Sequence, residues 1–551
     1  MKKIYIFLLI AILIIHSIFV ILSMSQPFHG DEVLIPKCAE GVLEKGKPIV
    51  DYSIFRPNYE CLWHPPLYIY LIALSTYIFG KNIYSFRMVS AIFNLLTILL
   101  VYLITKEIFN NNKNKEIIAL IASFIYALNP LTIQSSIIMD IDGGLLNFFT
   151  MLFIYLFIKN KSYLWLIPSL LFVFWSKETG PILLFISIFI FYISQKDFKS
   201  LIKISTIFII SLLIYLSTFF IYTTLLNLNF SEAFTRNLIS SEKIDFYTHI
   251  LRSAWSFKTF FYFAIPFFVI LFFINSIKFY IKILKDKKIN FDERNLYFLN
   301  IFSLLTIILF VYLGITAWGF PKYYITALPS MAIFIAGTLN LDKFREIKIK
   351  NILLRMILLI IILSIYFIFL IGNPLIPEFD AAATVTAKSG KIFEESKLIL
   401  HSFIFYVIFP FIISTLFLIK IKRKILLSIF FLIVFIYFYI NLIHASVEYS
   451  TYSKYGDYGI PQLLEYFKKN NITSNEIATY PHIGYYLGMS NYYDITYATN
   501  TTKQFKDKII NNKNILHITL YERDIDRIGE ENMNYFKFEE KIGTYYIFKR
   551  K

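Results

Sequence analysis

Two short acidic motifs stand beside glycine in a chain that is otherwise strongly apolar: Gly30-Asp31-Glu32 and Asp140-Ile141-Asp142-Gly143-Gly144. Two lysines stand in similar settings, Lys177 in Ser176-Lys177-Glu178-Thr179-Gly180 and Lys322 in Phe320-Pro321-Lys322-Tyr323-Tyr324. Each motif borders an apolar run, so each falls at the end of a membrane segment, where charge is costly to desolvate and marks function. A carboxylate so placed can take a proton from an attacking hydroxyl. An ammonium at headgroup level can hold a phosphate as a point charge. Each residue also has a simpler use. Asp142, just before an apolar run, can cap a helix and favour its dipole. Lys177-Glu178 can be an ion pair within a tight turn, and Lys322 among aromatics can anchor the interface. Gly30 ahead of Asp31 argues for a close backbone approach, which capping does not require.

The elements that must position these groups are membrane helices. The 551 residues are 57% hydrophobic with a mean hydropathy of +0.61, and their apolar runs are too long for a soluble domain. The stretch from Ile4 to Ser23 exceeds a signal-peptide core and is read as a retained first span. The net charge of +17 does not point to nucleic acid, because the lysines and arginines lie in short clusters between apolar runs. Those clusters include Lys2-Lys3, Lys106 with Lys113 and Lys115, Lys196 to Lys203, Lys282 to Arg294, Lys343 to Lys350 and Lys420 to Lys424. With every cluster cytoplasmic, about thirteen spans alternate without conflict. They run over 4–24, 84–105, 117–139, 143–158, 162–176, 181–194, 201–224, 259–281, 296–316, 323–340, 352–372, 399–419 and 425–444. The segment from Pro65 to Gly80 is short for a span and reads as an interfacial or partly re-entrant helix.

This topology predicts a cytoplasmic N-terminus and an extracytoplasmic C-terminal segment. It also places on the outer face the loop 25–83, the turns at 140–144 and 176–180, the stretch 225–258 with Arg236, His249 and Arg252, the segment 318–323 and the loop 373–398. Two domains follow: a transmembrane domain over 1–444 and a soluble α/β domain over 445–551. The second has strand-like runs at Ile477–Tyr480, Ile515–Leu520 and Thr544–Phe548. The only cysteines, Cys38 and Cys61, are too few for a cysteine metal site. In an oxidising compartment they leave a disulfide open, which would stabilise the loop by roughly 3 kcal/mol. In Trp63-His64-Pro65-Pro66-Leu67-Tyr68 the aromatics suit either sugar stacking or an interfacial belt, and His64 by itself reads as structural.

Taken in order, Gly30-Asp31-Glu32, His64-Pro65-Pro66-Leu67-Tyr68, Phe79-Gly80 with Arg87, Asp142 with Leu145 and Phe148, and Lys177-Glu178 make a pattern. It resembles the GT-C superfold of polyprenyl-phosphate-sugar glycosyltransferases. Within that superfold it is most similar to the protein O-mannosyltransferases (glycosyltransferase family 39) and their relative, the aminoarabinose transferase acting on lipid A. The resemblance covers about residues 1–340. It implies a multi-pass enzyme of the plasma membrane whose donor is a sugar on dolichyl or undecaprenyl phosphate. The acceptor would be a hydroxyl on protein, lipid or glycan, and transfer would invert the anomeric centre. By the resemblance Asp31, with Glu32 beside it, is the catalytic base. Asp142 or Asp140 is the second acid, orienting a substrate or sharing a divalent metal such as Mg or Mn with Asp31. Lys177, Glu178, Lys322, Arg87, His64 and Tyr323 become contacts to the lipid phosphate or sugar.

The chain departs from the pattern in three ways. Glycine precedes Asp31-Glu32 where many relatives have arginine or tyrosine. The Trp-Trp-Asp-Tyr-Gly motif of oligosaccharyltransferases is absent, and so is a lectin-like insert. Two other readings compete: a transporter or flippase of a lipid-linked saccharide, and a membrane scaffold with a degenerate site. A transporter would place ionisable groups at mid-membrane between paired halves. Here they fall at one face and no repeat is visible.

Overall fold

The computed structural model describes residues 2–24, 30–230, 266–286, 291–313, 322–338, 460–488, 491–499, 501–543 and 545–551, with single positions between 246 and 264. It divides into two compact units. One comprises Met1–Leu22, Met88–Phe219 and Ser241–Tyr449; the other comprises Ser23–Arg87, Phe220–Ser240 and Ser450–Lys551.

The chain opens on α1 (Lys2–Ser23), α2 (Leu34–Lys45), α3 (Leu67–Phe79) and α4 (Ile83–Ile108). Then follow α5 (Lys115–Ala127), α6 (Pro130–Ile137), α7 (Leu145–Ile158), α8 (Tyr163–Ser176), α9 (Thr179–Ser194), α10 (Phe198–Leu225), α11 (Pro266–Asp286), α12 (Phe291–Leu313) and α13 (Leu328–Thr338). Among the described residues four stretches are long and apolar enough to cross a membrane: Lys3–Ile21, Ile83–Ile108, Phe198–Leu225 and Asp292–Leu313. At about 1.5 Å per residue, the 28 residues of α10 reach roughly 42 Å, beyond the ~30 Å of a hydrocarbon core. Ile4 and Phe7 on α1, and Ile202 and Leu213 on α10, are exposed, a placement that suits lipid rather than water.

The sequence reading of about thirteen spans is not reached among the described residues. Helices α7, α8 and α9 have 14, 14 and 16 residues, fewer than the ~20 a crossing needs. The stretches 352–372, 399–419 and 425–444, the loop 373–398 and the Lys420–Lys424 cluster lie outside the described residues, as do Arg236 and Arg252.

The run expected as one span over 117–139 is instead broken, and its two halves, Lys115–Ala127 and Leu131–Ile137, meet at 61°. The cause is local. Pro130 has no N–H to give and disfavours helix at the residue before it. Asn129 turns out of the helix and its side chain accepts from the Leu131 N–H at 3.0 Å, capping the second half. The carbonyl of Ala127, at the end of the first half, is taken by His16 Nδ1 at 2.7 Å, and His16 Nε2 lies 3.0 Å from Ser136 Oγ. One buried histidine on α1 thus touches both halves.

In the second unit, Cys38 on α2 is disulfide-bonded to Cys61, with a Cα–Cα distance of 6.1 Å. Between them β1 (Ile49–Val50) pairs antiparallel with β2 (Tyr59–Glu60). Helix α3 packs against α2 and leaves Leu74, Tyr77, Ile78 and Phe79 exposed. Helices α14 (Ile460–Lys469) and α15 (Pro481–Leu487) flank a five-stranded sheet of β3 (Ile477–Thr479), β4 (Tyr493–Asp494), β5 (His517–Leu520), β6 (Phe536–Ile542) and β7 (Tyr545–Arg550). The order is β4-β3-β5-β7-β6, with β3 parallel to β4 and β5, and β7 antiparallel to β5 and β6. Its core gathers Leu463, Phe467, Ile477, Ile518, Tyr545 and Ile547.

Candidate active site

In the first unit, three turns bring four charges together. The first is the loop between α6 and α7. Gly143 and Gly144 are there for closeness: a Cβ on Gly143 would stand 2.3 Å from Ser135 Cβ, and one on Gly144 2.9 Å from the Ser90 carbonyl. With neither side chain present, the loop lies against α4 and α6. The second turn joins α8 to α9 and carries Lys177 at the C-terminal cap of α8. The third is the 3-10 turn Lys322–Ala327. Asn147, two residues into the apolar α7, donates from Nδ2 to the Ile325 carbonyl at 3.3 Å and ties the third turn to the first.

Lys177 Nζ donates to both oxygens of Asp142, each at 2.6 Å, and both side chains are almost fully buried. The same ammonium stands 4.7 Å over the Tyr323 ring, within cation–π range. Lys322 Nζ lies 3.9 Å from Asp140 Oδ1 and 5.5 Å over the same ring. The two ion pairs differ in solvent access: the Lys322 side chain is 26% exposed and that of Lys177 4%. The Asp142 N–H reaches Asp140 Oδ1 at 3.4 Å, while Asp140 Oδ2 is buried with no hydrogen-bond partner among the described residues. Burial holds the Asp140 carboxyl above the usual carboxylate range, with the Asp142 charge adding to it and Lys322 opposing it. Burial alone would push Lys177 down, but Asp142, Tyr323 and Asp140 together outweigh it and hold the ammonium above its ordinary value. Lys177 is therefore a fixed cation.

In the second unit, Asp31 and Glu32 lie on the one-turn 3-10 helix Gly30–Val33. The Asp31 side chain is outside the described atoms. Glu32 is buried against Arg87 at the start of α4: Nε donates to Oε1 at 3.2 Å and Nη2 to Oε2 at 2.9 Å, while Nη1 donates to the Met24 carbonyl at 2.7 Å. Removing one partner of such a pair strands a buried charge. Arg87→Met is expected to cost about 3–5 kcal/mol, and Arg87→Met with Glu32→Gln distinctly less. Thermal unfolding of the two purified variants checks this; equal losses would show that the pair holds nothing.

The sequence-derived candidates thus fall into two groups. Asp140, Asp142, Lys177, Lys322 and Tyr323 gather in the first unit, with Glu178 next in the chain as the N-cap of α9. Glu32 and Arg87 pair in the second, where the Asp31 turn, the Cys38–Cys61 bridge and the half-buried His64 also lie. Sequence reasoning missed His16, Asn129 and Asn147. The signals were present: Asn129-Pro130 marks a helix break inside an apolar run, and a lone asparagine in Leu145-Leu146-Asn147-Phe148 needs a partner in a membrane helix. Among the described residues no group of three His, Cys, Asp or Glu side chains has the geometry to hold a metal ion. Both Asp142 oxygens face an ammonium, so a divalent ion there would have to displace Lys177. The donor set does not fit a metal at this cluster.

Residues 63–222 match a family model for dolichyl-phosphate-mannose-protein mannosyltransferase. Among solved structures, the chain is similar to ArnT from Cupriavidus metallidurans. To its apo state the TM-score is 0.54 at 12% identity, covering 99% of this chain and 98% of that one. To its undecaprenyl-phosphate-bound state the TM-score is 0.58 at 12% identity, covering 100% and 98%. No curated protein matches by sequence. At this identity the likeness is one of fold, and the GT-C resemblance seen in the sequence holds at that level.

Proposed function

We propose that the chain is a membrane glycosyltransferase that moves a sugar from a polyprenyl monophosphate, dolichyl or undecaprenyl, to an acceptor hydroxyl on protein, lipid or glycan. The observation that carries this reading is the cluster of Asp140, Asp142, Lys177 and Lys322 at the ends of apolar helices, within a fold like that of a protein solved with undecaprenyl phosphate. The Cys38–Cys61 bridge supports an extracytoplasmic loop, because disulfides persist in oxidising compartments. The reaction would then run at the outer face of the plasma membrane, with the C-terminal segment on that side.

In this mechanism Asp31 takes the proton of the acceptor hydroxyl. The hydroxyl oxygen attacks the anomeric carbon from the face opposite the phosphate. The bond from that carbon to the phosphate oxygen breaks, its electron pair leaves with the polyprenyl phosphate, and the configuration inverts. Phosphate is a good leaving group, so cations matter more than a strong acid. Lys322, the more exposed ammonium, is the phosphate contact. Lys177 is committed to Asp142 and fixes the 140–144 loop and the Tyr323 ring. Glu32, which the sequence sets beside the base, and Arg87, read from the sequence as a substrate contact, take a positional role: each neutralises the other and holds the turn. His64 and Glu178 stay candidates for sugar contact.

The test is donor turnover by the purified full chain in vesicles, across a panel of polyprenyl-phosphate sugars, reading free polyprenyl phosphate and sugar transferred to acceptor. Lys322→Ala is expected to raise donor KM about tenfold, which is roughly 1.4 kcal/mol. Passage of the lipid-linked sugar across the vesicle without release of polyprenyl phosphate would instead establish a flippase.

A further inference from the structure

We infer that the C-terminal segment positions the Asp31 turn, and that Phe55 and Gly484 carry this effect. The inference rests on the reading of Asp31 as the base, and every contact in it lies within the second unit.

The connection starts at the tip of the loop closed by Cys38–Cys61. There the Tyr52 N–H donates to the Arg56 carbonyl at 3.1 Å and the Arg56 N–H to the Ser53 carbonyl at 2.9 Å, so Ile54 and Phe55 form the tip of a tight turn. The Ile54 N–H donates to the Tyr492 carbonyl at 3.0 Å. The Phe55 ring meets Tyr493 at 5.3 Å between centroids, joins the rim of the C-terminal core, and has the Lys508 ammonium 5.5 Å over it. The loop is thus docked by a backbone hydrogen bond and an aromatic plug.

From Tyr492 the contact passes to α15. A Cβ on Gly484 would fall 2.4 Å from Tyr492 Cε1, so the helix lies directly on that buried ring. Helix α15 in turn packs against Gly30–Val33, the turn bearing Asp31. Lys37, just beyond that turn on α2, stands 5.4 Å over the ring of Tyr485 on α15. Close-packed interiors transmit displacement rather than absorbing it. With Arg87 gripping Glu32, the Asp31 turn therefore has two supports, α4 through Arg87 and the C-terminal segment through α15. A base held 1 Å out of place can cost about 100-fold in rate. Phe55 and Gly484 touch no reacting atom in this scheme; they are positioning residues.

The experiment uses the full chain and three variants, Phe55→Ala, Phe55→Leu and Gly484→Ala. It measures kcat and donor KM separately and follows hydrogen exchange in the peptide containing Gly30–Val33. Phe55→Ala and Gly484→Ala are expected to lower kcat roughly 10- to 100-fold with donor KM within about twofold, and to speed exchange in that peptide. Phe55→Leu should restore most of the rate. Wild-type kcat and unchanged exchange in both Phe55→Ala and Gly484→Ala would overturn the inference. If Phe55→Ala does not yield a monodisperse protein, Gly484→Ala decides by the same readouts. A wild-type chain inactive with every donor would overturn the glycosyltransferase reading instead, and exchange at residues 30–33 would then decide the packing inference on its own.

Discussion

Asp31→Asn is expected to lower sugar transfer by roughly 10²- to 10⁴-fold, the range that a positioned general base contributes, while donor binding stays nearly unchanged. Asparagine keeps the size of the side chain and much of its hydrogen bonding but cannot accept the acceptor's proton. The loss should therefore fall on kcat. The neighbouring carboxylate supplies an internal control. Glu32 is buried and both its oxygens accept from Arg87, so Glu32→Gln should show its main effect as lost thermal stability. Single-turnover transfer and donor KM for the two variants separate these outcomes. Undiminished transfer by Asp31→Asn would remove Asp31 from the chemistry. A larger rate loss in Glu32→Gln than in Asp31→Asn would exchange their roles.

Lys177→Met should be the most damaging change in the first unit. The lysine is the direct partner of both Asp142 oxygens, and although burial opposes its charge, Asp142, Tyr323 and Asp140 outweigh that and favour the ammonium. Methionine fills a similar volume but takes the ammonium away from both oxygens of the buried Asp142, at a cost of about 3–5 kcal/mol. The double variant Lys177→Met with Asp142→Asn removes both charges and should recover most of that stability. Its transfer rate should stay low, because the 140–144 loop and the Tyr323 ring lose the ammonium that holds them. Unfolding in detergent and turnover in vesicles test the two halves independently. Stability unchanged in the single variant would show that the pair is not what secures the loop. Full turnover in the double variant would show that catalysis does not depend on it.

The two ion pairs mark where sequence reasoning stops. All four residues stand out in the sequence, yet the sequence offers Lys177 only its neighbour Glu178 or a phosphate, and Arg87 a substrate contact. The observed partners are 35 and 55 positions away, Asp142 for Lys177 and Glu32 for Arg87. Spacing along one helix or turn cannot reveal such partners, because they depend on which helix ends pack together. The separation of Asp140 from Asp142 is of the same kind. Two residues apart in one turn, they face different lysines, and only the folded loop distinguishes them.

The sequence by itself determined the features that depend on local chemistry. Long apolar runs must become lipid-facing helices, since an unsatisfied backbone is not tolerated in hydrocarbon. The strands at Ile477–Thr479, His517–Leu520 and Tyr545–Arg550 overlap the strand-like runs at Ile477–Tyr480, Ile515–Leu520 and Thr544–Phe548. The break before Pro130 was legible in Asn129-Pro130, although the apolar run around it read as one span. Tertiary structure decided which charges neutralise one another, how the Gly143-Gly144 turn is pressed against Ser135 and Ser90, and that the Phe55 loop docks on the C-terminal sheet. The physical reason is common to all three. A buried charge, a missing Cβ or an aromatic plug acquires its meaning from the surface it meets, and long-range packing supplies that surface.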